Sequence, residues 1–329
     1  MVTHFTQHEI TVESDAETVF ELIADVGGWP QVFGPTVHVD LLGDTAGEQL
    51  LHIWATANGE VRDWTSRRTL DRKSGVIDFR QVVSSPPVAS MGGRWIVEPA
   101  DPGAGSNGSH VSNGTRGTNR CVVALTHDFE AIGDDPDAVA FIRTAVNRNS
   151  DAELAALKAA AEQTAADDLR FTFSDGVSIS GSLSDVFEFI NRAGLWPLRL
   201  PHVSRVDLEE RVPGVQRMVM DTRSPDGSIH TTESVRLCFP ERGLIVYKQL
   251  RLPAVMLAHT GRWEFREVPD GLVEARSFHT VTLNPAGVRE ALGAAATMDE
   301  ARQKVRHALG TNSLTTLRHA KQHVENPLD

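Results

Sequence analysis

The segment Asp63-Trp64-Thr65-Ser66-Arg67-Arg68 and a related segment, Thr232-Glu233-Ser234-Val235-Arg236, indicate how the chain is organised. Side chains alternate between the two faces of a β-strand, so the tryptophan, Ser66 and Arg68 would share one face. The threonine, serine and final arginine of the related segment would do the same. An indole, a hydroxyl and a guanidinium suit the floor of a partly polar pocket better than an apolar core. The two segments therefore predict two such pockets.

The sequence around these segments is also repeated. Residues 10–41 align without a gap with residues 177–208, at an offset of 167, and ten of the 32 positions are identical. The match then continues at an offset of 168, pairing Ser66 with Ser234 and Arg68 with Arg236. A repeat of this length indicates that one domain has been duplicated. We expect two domains, residues 1–165 and 166–329, which agrees with a prior of about 150 residues per domain.

Composition narrows the classes of function. The 329 residues carry a net charge of −12 at pH 7, with 40% hydrophobic and 23% charged residues, as in ordinary soluble globular proteins. The acidic balance argues against nucleic acid or an anionic membrane as a partner. Cys121 and Cys238 lie far apart and outside metal-binding motifs, which favours a reducing compartment and predicts no zinc site.

Several targeting and cofactor motifs are missing from the sequence. The first 15 residues lack the basic and apolar pattern of a signal peptide, and no apolar run approaches the roughly 18 residues of a membrane span. We therefore expect a cytoplasmic protein. A dinucleotide-binding glycine motif, a P-loop and an HExxH motif are also missing, so we expect no cofactor and no metal.

Each copy begins with the same predicted elements. Residues 8–12 have the pattern of a strand, and Ser14 with Glu17 has the pattern of a capping box that begins a helix. Ser182 is the corresponding helix start in the second copy. A Trp-Pro pair follows each helix, at residues 29–30 and 196–197, and predicts a turn.

Each copy then continues with short strands and closes with a long helix. Strand-length runs without intervening helices indicate an antiparallel meander; they are residues 50–56, 61–70, 76–83, 93–97 and 120–129, then 215–222, 228–238, 244–250, 261–266 and 272–283. The closing helices are predicted to begin at Asp135-Pro136 and at a capping box of Thr297 and Glu300. Residues 101–119, rich in Gly, Ser and Asn, are predicted to be a loop without a fold of its own.

This order of elements resembles the α+β helix-grip fold of the START and Bet v 1-like superfamily, in which a curved antiparallel sheet wraps around a long C-terminal helix and leaves a pocket. Fold alone does not give function. The Trp-Pro turns, the Ser-x-Arg strand, the Gly93-Arg94-Trp95 sequence and the duplication are similar to the didomain aromatase/cyclases of bacterial type II polyketide synthases. The resemblance covers nearly the whole chain.

The resemblance implies an activity and partners. The substrate would be a poly-β-ketone carried by an acyl carrier protein, and other type II polyketide synthase subunits would be partners. The implied reaction is first-ring closure between C7 and C12 by aldol addition, followed by dehydration to an aromatic ring, without a cofactor. The alternative is a START-like carrier that shelters a hydrophobic molecule and performs no chemistry.

The resemblance also implies site residues. Arg68 and Arg236 would be catalytic, with Ser66 and Ser234 beside them. Substrate-binding positions would be Trp29, Phe33, Trp64, Trp95, His127, Trp196, His202, Trp263 and His279. Monodomain relatives place a tyrosine shortly after the Trp-Pro turn, and this neighbourhood holds only Phe33 in the first copy and Leu200-Pro201-His202 in the second. The difference argues against tyrosine-based proton transfer and makes His202 the candidate substitute.

The residues by themselves leave alternatives open. An arginine such as Arg68 is commonly a surface residue of a sheet, and in the second copy Val235 and Leu237 form a more apolar face than the one that carries Arg236. Histidines such as His127 and His279 could transfer protons, because the reference pKa of histidine lies near neutrality, but structural histidines are commoner. Which copy holds the chemistry stays open.

Overall fold

A computed structural model describes residues 2–57, 59–100, 119–164, 169–223 and 227–326. The chain divides into two compact units, Met1–Asp167 and Asp168–Asp329. The boundary predicted from the repeat, after residue 165, lies close to this division. The loop predicted at residues 101–119 lies, apart from Asn119, outside the described residues.

Unit 1 is a seven-stranded antiparallel sheet with a long helix at its C-terminal end. Its elements in chain order are β1 (His4–Val12), α1 (Ala16–Ala24), α2 (Trp29–Val32), β2 (Thr36–Thr45), β3 (Glu48–Ala57), β4 (Glu60–Asp71), β5 (Val76–Val83), β6 (Val88–Pro99), β7 (Cys121–Ala131) and α3 (Pro136–Thr164). The strand order is β1-β7-β6-β5-β4-β3-β2, so the meander closes by bringing the first strand beside the last.

Unit 2 repeats this plan. Its elements are β8 (Arg170–Ser180), α4 (Leu183–Asn191), α5 (Trp196–Arg199), β9 (Val203–Val212), β10 (Val215–Arg223), β11 (Ile229–Phe239), β12 (Leu244–Arg251), β13 (Met256–Val268), β14 (Leu272–Leu283), α6 (Pro285–Leu292) and α7 (Met298–Glu325). The strand order is β8-β14-β13-β12-β11-β10-β9. The predicted fold class, two tandem helix-grip domains, is confirmed.

The helix starts follow local capping chemistry, with one correction. Ser182 caps α4 and Thr297 forms the predicted capping box with Glu300. The prediction that Ser14 caps α1 is wrong, because Asp15 does so by accepting a hydrogen bond of 2.7 Å from the Thr18 amide. A carboxylate is a strong acceptor that also suits the positive end of a helix. At the offset of 167, Asp15 is the residue that corresponds to Ser182.

Two further predictions need adjustment. The Trp-Pro pairs form one-turn helices, α2 and α5, with the proline at an early helical position. The predicted strand list lacked β2, β8 and β9, which lie at the edges of the two sheets. Separately, none of the helices in the described part of the chain is long and apolar enough to cross a membrane.

The closing helices complete the cores. In unit 1 the predicted apolar stripe of α3 is buried against α1 and the sheet at Leu154, Leu157 and Ala161. In unit 2, Leu317 and Ala320 of α7 have the same role. The amphipathic spacing of each helix therefore decides which of its faces turns toward the sheet.

A duplicated glycine brings an aromatic side chain close to the strand beside it. A Cβ atom on Gly93 would lie 2.1 Å from the Thr126 carbonyl oxygen and 2.6 Å from the Phe79 ring. A Cβ atom on Gly261 would lie 2.2 Å from the Tyr247 hydroxyl. Glycine is required at both positions because no other side chain fits in this space.

Candidate active site

A cavity of about 630 Å³ lies in unit 1 and is lined by residues of α2, β2–β7 and α3. All seven site residues predicted for the first copy line it: Trp29, Phe33, Trp64, Ser66, Arg68, Trp95 and His127. Most of the remaining lining is apolar, for example Leu51, Ile53 and Ile77. Concave apolar sites with a few polar groups are typical of small-molecule binding.

Arg68 belongs to strand β4, and its guanidinium reaches the C-terminal end of helix α1. The residue is 2% exposed. Its guanidinium donates to the Ile23 carbonyl oxygen at 2.8 Å, to the Ala24 carbonyl oxygen, and to Gln49 Oε1 at 2.8 Å. It also lies over the Trp29 ring, 5.4 Å from the centroid. A cation at the C-terminus of a helix is stabilised by the unpaired carbonyl groups there. Helix α1 thus fixes the guanidinium at the edge of the cavity.

The charge of Arg68 is retained despite its burial. Burial lowers the pKa of Arg68 to about 10, while Asp44 and Asp25 oppose that shift. The guanidinium is therefore protonated near neutral pH. A fixed cation in a mostly apolar cavity is suited to stabilise an oxyanion.

Arg236 has the same surroundings in unit 2. It donates to the Ile190 carbonyl oxygen at 2.6 Å and to Gln216 Oε1 at 2.9 Å, and it lies over the Trp196 ring at 5.2 Å. In each half of the chain, therefore, the arginine contacts both the Trp-Pro tryptophan and the C-terminal end of the first helix, which is α1 in unit 1 and α4 in unit 2. Both arginines have a structural role, whatever else they do.

His127 and helix α3 supply the groups that can exchange protons in the cavity. The His127 ring contacts Phe79 edge to face at 5.5 Å, and its Nδ1 atom lies 3.5 Å from Ser150 Oγ. Burial lowers the pKa of His127 to about 4, so its ring is neutral at physiological pH. A neutral ring has a nitrogen lone pair that can accept a proton, and burial makes this ring a weak base.

Glu153 is a cavity residue that the sequence reasoning missed. It lines the cavity from α3, together with Asn149 and Ser150. Burial raises the pKa of Glu153 to about 7, because desolvation disfavours the carboxylate. The sequence did contain a signal, namely an acidic residue on the apolar stripe of the helix. Glu153 follows Ile142 by 11 residues, about three helical turns, and so lies on the same face of α3. An acid with this pKa can hold and release a proton near neutral pH.

The interior of unit 2 is more polar at the corresponding places. The predicted residues Trp196, Ser234, Trp263 and His279 are buried there, as is Arg236. His279 connects a network: its Nδ1 lies 3.0 Å from both the Tyr247 hydroxyl and His259 Nε2, and its Nε2 lies 2.7 Å from Ser313 Oγ. In unit 1, Phe79 and Met91 occupy the positions of Tyr247 and His259.

His202 differs from the other predicted residues of unit 2. It follows α5, is only half-buried, and its Nδ1 atom has no hydrogen-bond partner within the ranges that the structure describes. Burial and the nearby His319 lower the pKa of His202. None of the hydrogen bonds given above for His279 involves His202.

The histidine pair of unit 2 predicts a pH-dependent stability. Burial lowers the pKa of His259 to about 3 and that of His279 to about 4, whereas unfolded histidine titrates near 6.5. The unfolded chain therefore binds more protons below about pH 6.5, and stability should be full above that pH and fall as pH decreases toward 4. We expect a loss of about 2 kcal/mol for each histidine at pH 5.

Urea unfolding between pH 7.5 and 5 measures this effect. The matched variant His259→Met, which copies the residue at position 91, should remove the share of His259, about half of the loss attributed to the pair. A stability curve of the wild type that stays level down to pH 5 would contradict this interpretation.

The residues that the structure describes contain no group of three or more His, Cys, Asp or Glu side chains placed to hold a metal ion. Among the ionisable residues that line the unit 1 cavity, Arg68, His127 and Glu153 differ in protonation near neutral pH. Such a set can supply electrostatic stabilisation, a proton acceptor and a proton donor.

Comparison with known proteins gives consistent results along the chain. The family described as "Polyketide cyclase / dehydrase and lipid transport" matches residues 3–162. The granaticin polyketide synthase bifunctional cyclase/dehydratase of Streptomyces violaceoruber is 41% identical over 322 residues, which cover 97% of this chain and 94% of that protein. The actinorhodin polyketide synthase bifunctional cyclase/dehydratase of Streptomyces coelicolor is 43% identical over 328 residues, 96% of each.

Two solved structures are similar over nearly the full length. The di-domain ARO/CYC BexL from the BE-7585A biosynthetic pathway has a TM-score of 0.86 and 48% sequence identity, covering 99% of this chain and 100% of that one. The di-domain ARO/CYC StfQ from the steffimycin biosynthetic pathway has a TM-score of 0.80 and 33% identity, covering 97% and 98%.

Proposed function

Because this chain belongs to the family of didomain polyketide cyclase/dehydratases, we propose that it closes and dehydrates a ring of a poly-β-ketone, and that this chemistry takes place in the cavity of unit 1. The observation that carries the proposal is the convergence of Arg68, His127 and Glu153 on one mostly apolar cavity. The proposed substrate is tethered to an acyl carrier protein, and the proposed partners are other type II polyketide synthase subunits.

Ring closure requires a folded chain and a stabilised oxyanion. A carbon between two carbonyl groups gives its proton readily to solvent, and the resulting enolate attacks a distant carbonyl carbon to form the C–C bond. The attacked C=O π bond breaks, its oxygen becomes an alkoxide, and the alkoxide takes a proton back from solvent. Arg68 would stabilise these anionic oxygens, and the aromatic walls at Trp29, Trp64 and Trp95 would hold the chain in one near-attack geometry. Closure between C7 and C12 is the proposed regiochemistry.

Dehydration requires a proton donor and a proton acceptor. The protonated Glu153 carboxyl group would give its proton to the ring hydroxyl, the C–O bond would break, and water would leave. The neutral His127 ring would accept the proton from the neighbouring carbon, whose electrons form the new double bond. The two groups regain their starting states by exchanging one proton through solvent, so atoms and charge balance.

The alternative is a START-like carrier without chemistry. The cavity's polar groups favour the enzyme, since a carrier of apolar molecules has no need of a cavity-lining acid whose pKa is raised to about 7. Reconstitution of a polyketide synthase with and without this protein, with products identified by mass spectrometry, distinguishes the two. The enzyme gives a new aromatic product, whereas a carrier gives the same spontaneously cyclised products as the reaction without it.

A further inference from the structure

Gln81 of strand β5 has an unusual environment in the cavity wall. Its side chain lines the cavity, and its Nε2 atom faces the Met91 sulfur at 3.7 Å. Its Oε1 atom is buried and has no hydrogen-bond partner among residues 2–57, 59–100 and 119–164 or in the described part of unit 2. A buried carbonyl oxygen without a donor is unfavourable, and native structures rarely keep one without a reason.

Unit 2 contains the same glutamine in a satisfied state. Gln81 pairs with Ser66 across the sheet, and Gln249 pairs with Ser234 in the same register. The Gln249 Oε1 atom, however, lies 2.6 Å from His259 Nδ1, so the amide has an internal partner. The residue at position 91 therefore decides the difference, because methionine replaces the histidine that would bind the amide.

We infer that Gln81 accepts a hydrogen bond from a hydroxyl group of the substrate, an inference that rests on the proposed function. The carbonyl groups of a poly-β-ketone can only accept hydrogen bonds, so they cannot satisfy this oxygen. A hydroxyl group can, and it is present on an enol, on a ring-closed alcohol, or on a chain that was reduced earlier. Gln81 would thus select hydroxyl-bearing forms.

Selection of a hydroxyl also suits the dehydration step. When Gln81 accepts the hydroxyl hydrogen, the oxygen lone pairs stay free to take a proton from Glu153, and the leaving group is held in place. Gln81 is in this sense a positioning residue. Sites that pair a buried polar group with a substrate hydroxyl discriminate against analogues that lack it.

Binding of matched probe pairs tests the inference without any assay of activity. We would measure by isothermal titration calorimetry the dissociation constants of 1-naphthol and 1-methoxynaphthalene, which share a ring system but differ in the hydroxyl donor. The wild type should prefer the hydroxyl compound by roughly 2- to 10-fold, the range of one neutral hydrogen bond. The preference should disappear in Gln81→Leu and decrease in Met91→His, which would supply the internal partner seen in unit 2.

A second pair identifies the kind of hydroxyl. The compounds 1,2,3,4-tetrahydro-1-naphthol and its methyl ether present a saturated alcohol, whereas 1-naphthol resembles an enol. A Gln81-dependent preference in the first pair alone assigns an enol, and one in the second pair alone assigns an alcohol. If neither hydroxyl compound is preferred by the wild type, or if the preference is unchanged in Gln81→Leu, the inference is overturned.

The duplicated glutamine provides the control. Gln249→Leu should leave the probe preferences unchanged but lower the melting temperature, since it removes the partner of His259. Gln81→Leu should not lower it, because it removes an unpaired acceptor. A failure of the probe preference would leave the proposed cyclase/dehydratase function intact, since that function is tested by the products and not by this binding ratio.

Discussion

Replacement of Glu153 by glutamine is expected to slow formation of the dehydrated product by about 10²- to 10⁴-fold, the range of general acid catalysis. Glutamine keeps the size of the side chain but has no acidic proton to transfer, so the ring-closed alcohol should accumulate. Rate measurements by liquid chromatography and mass spectrometry in a reconstituted synthase check this result.

The pH dependence makes the prediction specific. A general acid acts in its protonated form, so the dehydration rate of the wild type should fall as pH rises through about 7, the pKa of Glu153. The Glu153→Gln variant should lose this decrease. Asp151→Asn, which removes an exposed carboxylate from the same helix, is the matched control and should behave like the wild type. Full dehydration activity in a folded Glu153→Gln variant would exclude the carboxyl group as the acid.

The second large effect is expected from the arginine pair. Arg68→Ala should reduce formation of the cyclised product by about 10²- to 10³-fold, as the loss of an oxyanion-stabilising donor does in other enzymes. Arg236→Ala should leave the product rate within about twofold of the wild type, since only Arg68 is proposed to meet substrate.

The stabilities of the two alanine variants provide the control for this comparison. Each arginine donates to backbone carbonyl groups at the end of a helix, so both alanine variants should lose stability, by about 1–3 kcal/mol for each buried group left unpaired. Because the structural loss is common to the pair, a difference in product rate reports chemistry. Arg68→Lys, which keeps the charge, extends the comparison if Arg68→Ala does not fold. Equal product rates in folded Arg68 and Arg236 variants would contradict a catalytic role.

Much of the fold was predictable because the same sequence pattern occurs in both halves of the chain. The repeat gave the domain organisation, and short strands between turn residues gave the meander. The helix start was wrong by one residue at Ser14, where two good capping residues are adjacent and the carboxylate of Asp15 takes the role. The same repeat would have corrected it, since Asp15 corresponds to Ser182.

The site was predictable in part. Alternation could not decide the direction of Arg236, because both faces of its strand are buried: Arg236, Val235 and Leu237 are each 1% exposed. A pattern of polar and apolar residues distinguishes two faces only when one of them meets water. The resemblance to a family supplied what the pattern lacked.

Glu153 and Gln81 were missed for a different physical reason. The significance of Glu153 depends on burial, which raises its pKa. The significance of Gln81 depends on its Oε1 atom, which has no hydrogen-bond partner in the described part of the chain. The helical spacing places Glu153 on the buried stripe of α3, but neither its pKa shift nor the missing partner of Gln81 is visible in residue type or spacing. For Gln81 the second copy reveals the missing partner, because Gln249 is the same residue with its partner in place.

Filling the cavity of unit 1 tests the central claim most directly. Ala145 lines that cavity from α3, and Ala308 is the corresponding, exposed residue of α7 at an offset of 163. In a reconstituted synthase, with folding verified by circular dichroism, Ala145→Trp should abolish the aromatic product and restore the spontaneously cyclised products, while Ala308→Trp gives the wild-type product. A folded Ala145→Trp variant that still forms the wild-type product at the wild-type rate would show that the chemistry takes place elsewhere.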